Sequence, residues 1–311
     1  MTLLYYDPVF TEHQTGDHPE RAARILPLVG QLNSVGLADG CSRPSWEPAS
    51  VDRLCQVHTR DYLSSVEQFA CAGGGQLDAD TVVSQRSYDV ASIAAGAACD
   101  AVQRVLGGED TNAFCIVRPP GHHAMPDHAM GFCLLNNVAV AARVATGELG
   151  LERVLIVDFD VHHGNGTQAM FWEDAKVAYF SMHRAPFYPG TGSASEVGAG
   201  KGRGTTLNLP ISFGTSRQVQ ISRFRSEVVT FARQIRPQLV LVSAGFDSHK
   251  NDPIGSLGLE SDDFLALTRV LLEVADEYAD RRLVSVLEGG YNPDAVAQCG
   301  ADHLQALLDA P

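Results

Sequence analysis

Residues 154–167, VLIVDFDVHHGNGT, run from an apolar strand into polar, charge-bearing chemistry. Val154 to Val157 is a short β-branched and aliphatic run of the kind buried in a parallel sheet. The charges begin where that strand ends. Asp158, Asp160 and His162 follow at alternate positions, which in extended backbone places them on one face, and Asn165 lies in the Gly164/Gly166 turn just beyond. Carboxylates and imidazole so arranged can hold a divalent metal. A solvated loop after a strand also carries charge, but it seldom needs two adjacent histidines, His162 and His163, as well.

Working outward, strand and helix alternate. Leu3 to Tyr6 reads as a first strand, followed by the polar loop HQTGDHPER (13–21), whose His13 and His18 read as surface residues. Helical spacing covers Ala49 to Val57 and Arg60 to Ala70, and Ala72 to Gly75 breaks it. Ser84 or Ser87 can cap a long alanine-rich helix that Gly107 and Gly108 stop. Beyond it come the strand Phe114–Val117, the helix Asn137–Thr146, the strand Val154–Val157, the helix Gly166–Trp172 and the strand Val177–Ser181. The helix Gln218–Ile235, the strand Leu239–Ser243, the helix Ser261–Tyr278, the strand Leu283–Leu287 and a last helix from Pro293 complete the order. Such β-α alternation implies one α/β domain over residues 1–311, with three layers: a mostly parallel central sheet covered on both faces by helices. Its ligands are expected beyond the carboxyl ends of the strands.

Composition limits what the site can serve. The chain has 311 residues, 45% of them hydrophobic, enough for a sizeable core. A formal charge of −14 argues against nucleic acid as a partner and favours cationic ones. The N-terminus has no basic n-region, and no apolar run approaches the roughly 20 residues of a membrane span. The seven cysteines are odd in number, scattered and without a CxxC pair, so they read as reduced thiols of a cytoplasmic protein.

Four polar clusters follow strands directly. RPPGHHAMPDHAMGF (118–132) sets His122 and His123 after a stiff Pro-Pro-Gly turn, and a group titrating near neutrality suits acid-base work. The opening stretch is the second cluster. SAGFDSH (243–249) places Asp247 after a glycine turn, and EGGYN (288–292) places Tyr291 after two glycines that permit close backbone approach.

Together these clusters resemble the histone deacetylase family, which includes bacterial histone deacetylase-like and acetylpolyamine amidohydrolases. GHH, DxDxHHGNGT, FYPGTG, GFD and EGGY occur in the family's order from His18 to Tyr291, and Asn165 with the HPER loop resembles its class II branch. The resemblance implies an arginase/deacetylase-like fold. It also implies hydrolysis of an acetyl or related short acyl amide by metal-activated water. Asp160, His162 and Asp247 match the family's zinc ligands, leaving coordination open for water and the acyl carbonyl. Zn²⁺ is implied, one per chain, and two carboxylates with one imidazole also accept Fe²⁺. His123, backed by Asn165, matches the general base. His122, backed by Asp158, matches the partner that stays protonated. Tyr291 matches the phenol that donates to the tetrahedral oxyanion.

Around these, Phe132 and Tyr188 match the aromatic pair lining the lysine tunnel, with Gly131 beside them. Tyr188 stands where Phe is commoner. Arg21 resembles the arginine of the inner acetate channel. A structural K⁺ site is implied by the carbonyls of Asp158, Asp160, His162 and Met182 with the side chains of Asp158 and Ser181. Phe171, Asp174, Val177 and Thr205 align with a second.

The implied substrates are acyl-lysine in peptides or proteins, with small acetylated amines such as polyamines as the alternative. The short 72–83 connection leaves the mouth open to a polypeptide, Asp80 on the rim can accept from peptide N–H groups, and Ile254 stands where a polyamine-selective branch has Glu. Arginase-like chemistry needs two manganese ions and more carboxylates than these loops supply. A catalytically silent acyl-lysine reader would have no use for Tyr291.

Overall fold

The computed structural model describes residues 1–310. Ten strands and nine α-helices alternate along them. The first half contains β1 (Thr2–Tyr5), α1 (Leu26–Ser34), β2 (Cys41–Ser42), α2 (Val51–Leu54), α3 (Arg60–Cys71), β3 (Gly74–Gln76), β4 (Val82–Ser84), α4 (Ser87–Leu106), β5 (Asn112–Cys115) and α5 (Asn137–Arg143). The second half contains β6 (Val154–Asp158), α6 (Asn165–Met170), β7 (Val177–Arg184), β8 (Thr206–Ile211), α7 (Arg217–Ile235), β9 (Leu239–Ala244), α8 (Ser261–Tyr278), β10 (Leu283–Leu287) and α9 (Pro293–Leu308).

Eight strands form one sheet in the order β2-β1-β5-β10-β9-β6-β7-β8, and every pairing in it is parallel. The central strands β5, β10, β9 and β6 are buried along their whole length, which explains why they read as predominantly apolar runs. Helices α4 and α5 pack together on one face, and α1, α9, α8 and α7 pack in succession on the other. This is the α/β layering that the alternation implies.

Three local expectations are corrected. Neither Ser84 nor Ser87 caps α4: the cap position is Arg86, without a side-chain bond to the helix. The Ser87 hydroxyl is engaged instead by the Ser84 N–H at 2.7 Å and by His13 Nδ1 at 2.7 Å. Nor is His13 a surface residue. It is buried, with Nε2 3.3 Å from the carboxylate of the equally buried Glu20. Finally, β3 and β4 form a separate antiparallel hairpin where only a break is read from the sequence, and β8 extends the sheet beyond β7. Pro210 within β8 is tolerable because the strand lies at the sheet edge.

Candidate active site

The loops leaving β5, β6, β9 and β10 converge at the carboxyl edge of the sheet. Asp158 ends β6 in register with Ser243 of β9 on one side and Ser181 of β7 on the other. Its Oδ1 accepts from the Asp160 N–H at 3.1 Å, so the carboxylate itself turns the chain out of the strand. Oδ2 faces His122 Nδ1 at 3.0 Å and accepts from the Tyr179 hydroxyl at 3.0 Å.

Asp160, His162 and Asp247 are buried and bring three ligand atoms within 4.8 Å of one another. His162 Nδ1 lies 3.0 Å from Asp160 Oδ1 and 3.2 Å from Asp247 Oδ2. The second oxygens are spoken for: Asp160 Oδ2 accepts from the Gly289 N–H at 2.8 Å and Asp247 Oδ1 from the Val161 N–H at 2.8 Å. Asp247 Oδ2 is buried without a hydrogen-bond donor. Two glycines make the close approach possible. A Cβ at Gly245 would fall 2.1 Å from Asp160 Oδ2, and one at Gly289 would fall 2.3 Å from Asp247 Oδ2. Two buried carboxylates and an imidazole, with one oxygen unpartnered, fit a divalent cation, because burying such charge unpaired is costly.

The tandem histidines lie beside this cluster with ring centroids 4.1 Å apart. Their partners differ. Burial pushes the His122 imidazole down, but Asp158 and Asp160 more than offset it and raise it to about 10. Burial and the neighbouring charges of His122 and His162 hold His123 well below the ordinary range, and its Nδ1 meets only the neutral Asn165 amide, 2.7 Å away at Oδ1. The same site therefore holds one imidazole that keeps its proton and one that is free of it.

Tyr291 follows β10 across the cleft, where burial keeps its phenol protonated well above the usual range despite Arg24 nearby. Phe132 meets its ring edge-on at 5.7 Å, and Tyr188 meets the His123 ring edge-on at 5.3 Å. Tyr188 also meets the His162 ring edge-on at 6.0 Å.

A family profile described as "Histone deacetylase domain" matches residues 18–307. The chain belongs to the histone deacetylase family. It is 39% identical to a histone deacetylase-like amidohydrolase of Pseudomonas aeruginosa, over 94% of this chain and 76% of that one. It is 38% identical to a probable deacetylase of Archaeoglobus fulgidus, over 93% of this chain and 81% of that one. The crystal structure of an HDA15 HD domain superimposes with a TM-score of 0.94 at 35% identity, covering 99% of this chain and 91% of that one. The amidohydrolase class and the arginase-like sheet are thus shared with known deacetylases.

Within this deacetylase-family site, the structure corrects the arginine. Arg21 is exposed on the rim, whereas Arg24, one turn on, is buried beneath Tyr291 with its guanidinium 4.8 Å from the ring centroid. Arg24 donates from Nε to the Gly290 carbonyl at 2.6 Å and from Nη2 to the Glu288 carbonyl at 2.5 Å, and it pairs with Glu20 at 2.9 Å. The short turn Ala22–Arg24 decides which of the two arginines points inward.

Asp80 does more than stand on the rim. Its Oδ1 accepts from the Gly131 N–H at 3.1 Å, while the Thr81 hydroxyl accepts from the Phe132 N–H at 3.2 Å. Gly131 and Phe132 both have positive φ, 57° and 70°, and a Cβ at Gly131 would lie 2.3 Å from the His123 ring. The turn of the β3–β4 hairpin therefore holds the backbone that carries Phe132. Ile254 lies beside Tyr291 and Arg21 in a surface cavity of about 390 Å³.

Of the residues aligned with cation sites, Asp158 and Ser181 are neighbours across β6 and β7, and Met182 follows on β7. Phe171, Asp174, Val177 and Thr205 gather at one turn, where the Thr205 hydroxyl donates to the Asp174 carbonyl at 3.1 Å and the Val177 N–H to the Asp174 side chain at 3.1 Å. Arg143 already places a cation there, paired with Asp174 and 4.7 Å from the Phe171 ring centroid.

Two side chains at the site are not singled out by the sequence. Glu288 opens the EGGYN segment, and its buried carboxylate accepts from the N–H groups of Gly121 at 2.6 Å and His122 at 3.1 Å, and from the Ser243 hydroxyl at 3.0 Å. Burial raises it to about 7 despite His122 and the Gly121 N–H. Phe187 stacks on the His162 ring at 5.3 Å, backed by Arg184 at 4.2 Å. A carboxylate between a buried strand and two glycines is a readable signal for Glu288. Phe187 opens the FYPGTG motif, but the sequence does not say which residue of Phe187-Tyr188 faces which ring of the site.

Proposed function

We propose that the protein is a zinc-dependent deacetylase that hydrolyses the side-chain amide of acyl-lysine in peptides or proteins. The observation that carries this reading is the unequal pairing of the two histidines, His122 to Asp158 and His123 to Asn165, beside a three-ligand cluster. Asp160, His162 and Asp247 would hold the ion, Zn²⁺ or Fe²⁺, which when bound supplies Lewis acidity toward the acyl carbonyl and a water. His123, unprotonated and with Nδ1 directed at Asn165, takes the water's proton at Nε2 and returns it to the departing amine. His122 keeps its positive charge close to the developing negative charge. Tyr291 donates its hydroxyl proton in a hydrogen bond to the same oxyanion. Phe132 and Tyr188 enclose the apolar stem of the lysine side chain.

Asp158 has a second duty in this reading. With Ser181 and the backbone carbonyls of Asp160, His162 and Met182, it would hold a structural K⁺ behind the site. The Arg143–Asp174 pair already supplies a cation at the second aligned position, so K⁺ there is the weaker assignment.

All seven cysteines are free, and no helix among the described residues is long and apolar enough to cross a membrane. The free thiols are compatible with a reducing setting, and the reading adopted for location is the cytoplasm. Small acetylated amines are the second reading, favoured by Asp78 and Asp80 near the Tyr188 phenol at the mouth, where a cationic substrate would be attracted. The deciding experiment is turnover of acetyl-lysine peptides, other short-chain acyl-lysine peptides and acetylated polyamines by metal-reconstituted protein. No release of acyl group from any of them would overturn the deacetylase reading.

A further inference from the structure

The backbone ahead of the Tyr291 phenol is Gly289-Gly290, and Gly290 adopts φ 120°, a conformation glycine enters without penalty and leaves as easily. The chain does not fix the phenol by itself, so outside groups must. Arg24 holds the Gly290 carbonyl at 2.6 Å. On the far side, the Asn292 amide donates to the Asn251 carbonyl at 3.0 Å, while its oxygen caps α9 by accepting from the Ala295 N–H at 3.1 Å.

Besides Arg24 and Phe132 at its ring, Tyr291 is held at its backbone by a carboxylate. The Tyr291 N–H donates to Asp252 Oδ2 at 2.6 Å, and Asp252 is only 8% exposed. Its other oxygen, Oδ1, accepts from the N–H groups of Ile254 and Gly255, each at 2.9 Å. One buried carboxylate thus ties the mouth loop that presents Ile254 to the residue that presents the phenol. Hydrogen bonds to an ionised acceptor are the strong kind.

We propose that Asp252 is a positioning residue for Tyr291: its Oδ2 fixes the backbone from which the phenol reaches toward the Asp160–His162–Asp247 cluster, and its Oδ1 keys that position to the substrate-mouth loop. This rests on the deacetylase reading only for its kinetic consequence. The positional claim stands on geometry alone. Asp252 reaches no reacting atom and acts through Tyr291. A displacement of about 1 Å at a donor to the transition state costs about 10² in rate.

The two oxygens allow a selective test. In Asp252→Asn, the amide oxygen can keep both N–H groups of the loop, which leaves an NH₂ donor facing the Tyr291 N–H. Asp252→Ser, read in parallel, keeps a short acceptor for the turn but cannot reach Tyr291. The first readout is fluorine NMR of protein carrying 3-fluorotyrosine, with Tyr291 assigned by its loss in Tyr291→Phe. The Tyr291 resonance is expected to shift or broaden in both Asp252 variants while the other tyrosines stay in place. An unchanged Tyr291 resonance in the folded variant of either kind overturns the proposal, whether or not the protein turns over any acyl-lysine.

The second readout is kinetic. Asp252→Asn is expected to lower kcat by about tenfold or more, with KM and bound metal within about twofold of wild type. Added to Tyr291→Phe, it should lower kcat by less than about twofold, since its effect passes through the missing hydroxyl. An equal loss in both backgrounds means that Asp252 acts elsewhere and overturns the proposal. A wild-type protein without acyl-lysine turnover would instead strike the deacetylase reading and leave the fluorine result to decide the positioning.

Discussion

His123 Nδ1 lies 2.7 Å from Oδ1 of Asn165, so the imidazole proton sits on Nδ1 and the Nε2 lone pair is free. Its neighbour His122 faces a carboxylate and is raised to about 10, so it holds its proton throughout the neutral range. A base must be able to accept a proton. His123→Ala is therefore expected to lower kcat more than His122→Ala. Asn165→Asp should raise the basicity of His123 and move the acid limb of the kcat/KM profile to higher pH. Steady-state kinetics across pH 5–9 (about neutrality, where imidazoles titrate) checks both, and the reverse ranking would exchange the two roles.

One divalent ion per chain is expected, held by Asp160, His162 and Asp247, and Asp247→Ala should lose both the ion and turnover. Gly289→Ala is the more pointed variant. It removes no ligand, but its Cβ would sit 2.3 Å from Asp247 Oδ2 and 2.4 Å from Asp160 Oδ2, so metal affinity should fall by about tenfold or more. Elemental analysis after dialysis against a graded chelator reads the stoichiometry and both losses. Two ions per chain would point to arginase-like chemistry.

Tyr291→Phe is expected to lower kcat by about 10² or more while a hydroxamate inhibitor binds within about tenfold of wild type. The phenol stays protonated at every working pH because burial raises it well above its usual range. Its contribution is hence a hydrogen bond to charge that exists only in the transition state. Nearly unchanged kcat would remove Tyr291 from the reaction.

What was legible in the sequence follows from burial. Strands β6, β9 and β10 are covered on both faces, so they read as predominantly apolar runs, and the polar residues immediately after them had to belong to the strand ends. Strand β8 mixes buried and half-buried residues without strict alternation and carries Pro210, and β2 is two residues long, so neither announces itself. Side-chain direction was the other blind spot. Arg21 and Arg24 are three residues apart in one polar loop, and only the turn at Ala22–Arg24 decides which of them meets Tyr291. Asp252 was equally silent, because its bonds run to backbone N–H groups that no spacing rule reveals.

Stability should fall on mild acidification through histidines held neutral away from the site. Burial lowers His303 to about 3 and His58 to about 4, against 6.5 for an exposed imidazole. His303 sits between the Thr268 and Ser285 hydroxyls at 2.7 and 2.9 Å, and His58 Nε2 accepts from the Asn136 N–H at 2.9 Å. The unfolded chain binds these protons first, so their contribution is complete above about pH 6.5 and is lost as pH falls from there toward 4, by about 1.4 kcal/mol per unit per group. Urea titrations of metal-free protein from pH 7 to 4.5 (about the window in which the two states differ in bound protons) should show that decline. His303→Asn should flatten it, and a variant slope equal to wild type would mean that His303 is protonated in the fold.

The remaining prediction concerns substrate. Acetyl-lysine in an exposed peptide is expected to be turned over more efficiently than acetylspermidine or acetylputrescine. The connection between α3 and α4 is the compact β3–β4 hairpin, whose turn is used to hold Gly131 and Phe132. The mouth is accordingly open: Tyr188 is 37% exposed, and beyond it the surface cavity beside Tyr291 is bounded by Ile254, Pro253 and Pro293. Ile254 offers a secondary ammonium no acceptor, and enclosing that charge against apolar residues is unfavourable. Asp80 works against this preference, since its carboxylate would draw in either cation. With Oδ1 engaged by Gly131 and Thr81 and the Tyr188 phenol beside it, its charge meets a peptide N–H and an ammonium alike, and attraction at the rim discriminates little between them. The measurement is kcat/KM for an acetyl-lysine peptide and for acetylspermidine in the same salt and metal, together with Ile254→Glu, which should shift the ratio toward the polyamine. A wild-type preference of tenfold or more for acetylspermidine, about 1.4 kcal/mol in transition-state binding, would make the small-amine reading the better one.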